Sequence, residues 1–200
     1  METMIYKYIN RILLVIILGI IPEVVYAGAP EIGQMMQNLK RDLPHLVKFI
    51  AAVSYTGGVW FVFSALHELR IYGQARTMMP TNINLSGPLI RLVVGVFMMF
   101  LPGFINVSIY TLWNYSSTEI LLYPADIKAG WSDIIQGVVA LIRVIGYIAF
   151  VRGLILVTRS ARQGVPPGML SKAITHIIGG LLAINIVGTI DAIKGTFGWT

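Results

Sequence analysis

Apolar residues in this chain gather into long runs parted by short polar, turn-rich stretches. A helix needs about 20 apolar residues to cross the hydrocarbon of a bilayer, and four stretches approach that length, at about 46–66, 88–113, 134–157 and 169–190. Because backbone polar groups must be satisfied internally in lipid, such runs are helices. The pattern therefore predicts an all-α, polytopic membrane protein with four transmembrane helices. These form two helical hairpins, over 46–113 and 134–190, joined by a connection at 114–133 and followed by a tail at 191–200.

The first 27 residues read differently. Lys7 and Arg11 precede an apolar run of only ten residues, 12–21, then Pro22, Val25 and Ala27. That is a secretory signal with cleavage after Ala27, an uncleaved anchor being the alternative. Either places the next residues outside the cytoplasm. Over 28–45, Ile32, Met35, Met36, Leu39 and Leu43 recur near helical spacing opposite Gln34, Gln37, Lys40 and Arg41. This predicts a short amphipathic helix on the membrane surface, or else a partner-binding arm.

Charge then sets an orientation. Arg70 and Arg76 lie between the first two runs, and Arg159, Arg162 and Lys172 lie between or beside the last two, so both turns should face the cytoplasm. The connection at 114–133 carries Glu119, Asp126 and Asp133 against Lys128, between Trp113 and Trp131, and should face the periplasm with the tail. Lys40, Arg41, Lys48, Lys128 and Lys194 balance the five basic residues of the inner side, so the exported signal has to decide the orientation. The expected location is the bacterial inner membrane, with the mature N-terminus and the C-terminus periplasmic.

Composition agrees: 56% of the 200 residues are hydrophobic and 12% charged, more apolar material than a soluble core of this size buries. The net charge of +6 is used by topology, so direct nucleic-acid binding is not expected. With no cysteine, disulfides and thiolate chemistry are excluded. The hairpins also suggest a weak internal repeat, in which Gly87-Pro88 precedes Arg91 and Gly168 precedes Lys172 at the same offset.

Candidate chemistry is sparse. His67-Glu68 lacks the second histidine of a zinc-binding helix, Ile71 standing there, and reads as a polar interfacial pair. No nucleophile triad or phosphate loop is evident, so no catalytic residue, metal ligand or cofactor is expected. Arg143 and Arg152 interrupt the third run; nine residues apart, they sit about 180° apart on a helix. Arg143 would line an aqueous path, pair with another subunit or snorkel to the outer leaflet, and Arg152 is close enough to the inner leaflet to snorkel. Gly180, Ile184, Gly188 and Ala192 recur at four-residue steps, with Gly179 and Ala183 beside them, a small-residue row suited to close packing within the bundle or between subunits. Asn106 and Asn185 are intramembrane polar groups able to bridge helices. Pro102-Gly103 should kink the second helix, while Gly87, Pro88 and Gly168 mark helix starts.

The stretch Gly57-Gly58 to Leu66, Gln74-Ala75-Arg76, Pro80, Leu85-Ser86-Gly87-Pro88, Gly95 and Leu101-Pro102 resembles the hairpin of small inner-membrane components of Dot/Icm type IVB secretion systems. The run from Leu170 to Gly188 resembles the C-terminal part of the IcmC/DotE family and of related TraQ-type conjugation proteins. Arg70-Ile71-Tyr72-Gly73 departs from the Lys/His/Asp-rich turn of that pattern. The resemblance implies a structural, non-enzymatic subunit of a protein-export or conjugation apparatus, assembled with other Dot/Icm-type subunits, with a homo-oligomer as a further option. The rival is a small stand-alone channel or transporter, which requires Arg143, Arg152, Asn106 and His176 to face one aqueous cavity.

Overall fold

The computed structural model describes residues 32–78, 85–114, 129–162 and 164–198, and every regular element among them is a helix. In chain order these are α1 (Ile32–Met78), α2 (Ser86–Met99), α3 (Leu101–Trp113), α4 (Ala129–Ser160), α5 (Met169–Ile184) and α6 (Ile186–Phe197). The signal at 1–27 lies outside the described residues, as do Glu31, Pro80, Glu119, Asp126, Lys128 and the side chains of Arg76, Trp131 and Asp133.

Two helices are long and apolar enough to cross a membrane, within 34–74 and 134–160; the number rises to four if each bent pair, α2 with α3 and α5 with α6, counts as one span. The apolar segments thus make this a membrane protein by length and composition. α1 has 47 residues, roughly 70 Å at 1.5 Å per residue, about twice the hydrocarbon thickness. Its uncharged part runs from 49 to 66, between Lys48 and the pair His67-Glu68.

The separate surface helix expected over 28–45 is instead, from Ile32 onward, the first part of α1, continuous through Pro44. Tertiary contact holds this part in line. Leu43 is buried, Met36 packs on Gly137 of α4, and Lys40 donates to the side-chain oxygen of Gln136. Those contacts, with the groove that Phe49, Ile50 and Val53 share with Ile148 and Arg152, set α1 and α4 side by side and parallel.

The second and fourth runs, expected as single helices, are each broken at a right angle: 90° at Phe100 and 91° at Asn185. At the first break Pro102 has no N–H to give the Met98 carbonyl four residues back. Ser54 of α1, 1% exposed, donates its hydroxyl to that carbonyl at 3.2 Å instead. Serine repair of a proline-freed carbonyl is what allows such a break in an apolar setting. At the second break Asn185, fully buried, accepts from the Gly188 N–H at 3.3 Å and caps α6, while the Thr189 hydroxyl donates to the Leu182 and Asn185 carbonyls.

Glycines set the helix spacing. A methyl group on Gly58 of α1 would stand 2.6 Å from the Gly95 carbonyl oxygen of α2, and one on Gly146 of α4 would stand 2.8 Å from the Gly180 carbonyl oxygen of α5. Each break falls five residues after the glycine of the shorter helix. Superposing the glycines and breaks aligns Leu85, Ser86, Gly95 and Gly103 with Leu170, Ser171, Gly180 and Gly188. The repeat is therefore real in architecture but differs in register from the Gly87-to-Arg91 and Gly168-to-Lys172 match read along the chain. Gly87 lies against the Ala161 carbonyl, so the α1–α2 and α4–α5 turns share one end of the bundle and the two halves are parallel.

The core sits where the halves meet. Leu101, Ile105 and Ile109 of α3 are fully buried against Phe150 and Leu154 of α4 and Leu181 and Ile184 of α5. Phe104 stacks on Phe97 at 4.3 Å between centroids and tilts against Phe150 at 5.8 Å.

Candidate functional site

At the end of the bundle where the turns meet, a charged cluster is built between α1 and α2. Arg91 stands on the second turn of α2, and Ser64 and Glu68 are one turn apart on α1, so both face the same guanidinium. Arg91, only 8% exposed, donates from one Nη to the Ser64 hydroxyl at 3.1 Å and to the Glu68 carboxylate. The Glu68 side chain is 36% exposed and opens to the surface. A guanidinium removed from water is held only when a carboxylate and further acceptors face it, which this pair supplies.

The ion pair forms part of the wall of a cavity of about 380 Å³ lined by Glu68, Tyr72, Gly87, Pro88, Arg91, Ala161 and Arg162. Arg162 is exposed, just beyond the end of α4. Gly87 and Pro88 belong to the first turn of α2, whose backbone N–H groups have no partner within the helix and point along its axis past the N-terminus; of the two residues only Gly87 carries an N–H. The cavity therefore carries two guanidiniums, one carboxylate and one phenol at the margin of an apolar bundle. Its chemistry suits recognition of an anion, and among the described residues no group of three or more His, Asp or Glu side chains gathers to hold a metal.

Sequence reasoning misses this centre. It makes Glu68 merely interfacial and has Arg91, just after the start of its helix, reach for phosphate headgroups, whereas Arg91 is buried and paired; nothing in the spacing joins residues 23 positions apart. The available signal is a lone arginine early in an apolar run and a lone glutamate late in another, each costly unless paired.

The expected intramembrane polar residues are dispersed. Arg143 is half-buried in the N-terminal half of α4, one turn from Tyr147. Arg152 is exposed and, with Arg159, Phe49, Ile50, Val53 and Ile148, lines a groove of about 460 Å³ between α1 and α4. Asn106 is exposed on α3, Asn185 is the buried cap of α6, and His176 donates from Nδ1 to the Lys172 carbonyl at 2.8 Å. These positions do not converge on the cavity at Arg91.

The small-residue row divides. The break at Asn185 separates Gly180 and Ile184 from Gly188 and Ala192, so the four share no continuous helix face. Gly180 is buried against α4, Gly188 is buried at the cap, and Ala192 is exposed on α6. Gly179 faces away from the bundle with nothing within 4 Å of an added methyl, and Ala183 is half-buried. Gly103 is equally open, Pro88 is buried, Pro102 is exposed just past the first break, and Gly168, at φ +89°, caps α5 in a conformation that favours glycine. No protein-family model matches this chain, and no match to it was found among curated proteins or solved structures.

Proposed function

We propose that the chain is a structural, non-enzymatic subunit of a type IVB, Dot/Icm-like secretion or conjugation apparatus in the bacterial inner membrane, contributing scaffold or conduit for protein export. In this reading the bent pairs are spans, both basic turns face the cytoplasm, the termini face the periplasm, and partner ATPases supply the energy. Its contacts are other membrane subunits of that apparatus, with copies of itself as an additional neighbour, and it binds neither cofactor nor nucleic acid.

The observation that carries the reading is the outer face of α5. Ser171, Thr175 and Gly179 recur at four-residue steps along it, and Leu170, Ile174, Ile178 and Leu182 flank them in a shallow groove of about 610 Å³. Small residues let another helix approach closely, the main source of helix association where lipid removes the hydrophobic drive. The resemblance to the IcmC/DotE hairpins supports the same assignment and supplies the machine.

The experiment separates this face from the internal glycines. Gly179→Leu should leave membrane insertion and thermal stability near wild type while reducing co-purification with partner subunits and protein export. Gly180→Leu should destabilise the chain itself. Export and co-purification at wild-type levels in a correctly inserted Gly179→Leu variant would contradict the reading.

A further inference from the structure

We infer that the cavity at the turn end binds an anion, and that the ligand is a phosphate ester carrying one negative charge, the headgroup chemistry of a phospholipid. Three features of the wall lead there. Glu68 neutralises Arg91, which leaves Arg162 as the uncompensated charge of the lining, a match for one phosphodiester. Gly87 and Pro88 bring the first turn of α2 to the cavity; Pro88 has no N–H, so the helix end offers its dipole and the Gly87 N–H to an anion. Tyr72 adds a hydroxyl at the same level.

Depth selects the class of ligand. Glu68 follows directly on the uncharged stretch 49–66 of α1, so the cavity sits where hydrocarbon gives way to headgroups. Basic pockets between helices at a cytoplasmic margin are where anionic headgroups dock. A volume of about 380 Å³ admits a headgroup phosphate with its glycerol. Arg91, buried and held by Ser64 and Glu68, forms the inner wall, and Arg162, exposed at the rim, supplies the guanidinium that meets the phosphate. This inference rests on the membrane setting and on the inward orientation of the turns proposed above, and not on the secretion reading.

The test uses the full chain purified in a mild detergent, with native mass spectrometry counting bound molecules. Three probes are compared: phosphatidylglycerol, diacylglycerol with the same acyl chains, and inorganic phosphate. The chain should retain phosphatidylglycerol saturably and at least fivefold over diacylglycerol. Arg162→Ala should cut that retention severalfold, while Lys172→Ala, an exposed charge at the same end but outside the cavity, should not. Binding of phosphatidylglycerol names the lipid as the source; saturable, Arg162-dependent binding of inorganic phosphate alone keeps the anion site but names free phosphate. Equal retention of diacylglycerol, equal loss in both variants, no change in Arg162→Ala, or no binding of either anion overturns the proposal.

Discussion

Replacing Glu68 with alanine leaves the Arg91 guanidinium buried with Ser64 as its one remaining partner in the cluster, and an uncompensated buried charge costs about 3 kcal/mol. Replacing both residues with leucine removes the charge with its partner and should cost within about 1 kcal/mol of wild type. Thermal unfolding of Glu68→Leu, Arg91→Leu and the double variant in detergent measures that non-additivity; strictly additive losses would mean the pair does not interact. The glycine contacts give a second contrast at this scale. Gly146→Ala drives a methyl against the Gly180 carbonyl and should cost about 1–3 kcal/mol, whereas Gly179→Ala meets open space and should be neutral or slightly stabilising. Unfolding midpoints of the two variants decide this, and equal midpoints would contradict the packing.

Among the elements, the breaks carry the most information about how the sequence works. Ser54→Ala strands the Met98 carbonyl and should cost about 1–2 kcal/mol, but in a Pro102→Ala background the N–H restored at position 102 takes that carbonyl and the same change should be nearly silent. A double-mutant cycle by thermal unfolding reads the difference; an undiminished Ser54 effect would mean that serine has another task. The apolar runs are legible because their length alone implies lipid-facing helices, and Pro102 announces a bend. The right angle is not legible, since it depends on Ser54 arriving from another helix. Asn185 reads as a bridge between helices because an asparagine inside an apolar run looks like a polar contact; that it ends one helix and caps the next depends on its burial. Likewise Gly180 is visible as a packing residue, but its neighbour Gly179 and not itself faces outward, a distinction set by helix phase against α4.

The whole molecule is two parallel copies of one arrangement: a long helix, a turn, and a shorter helix that breaks at a right angle past its packing glycine. The parallel relation puts Arg70, Arg159, Arg162 and Lys172 at one end, with Glu68 paired to Arg91 there, while Lys40, Arg41 and Lys48 lie toward the other end of α1. The claim on which all of this rests is that both turns emerge on one face of a bilayer. The native chain lacks cysteine, so single cysteines at exposed Gly73, Pro167, Lys40, Asn114 and Lys194 can be probed with a membrane-impermeant maleimide in sealed vesicles of known orientation. The account predicts that Gly73→Cys and Pro167→Cys label from one side and Lys40→Cys, Asn114→Cys and Lys194→Cys from the other; labelling of Gly73→Cys and Pro167→Cys from opposite sides would contradict it.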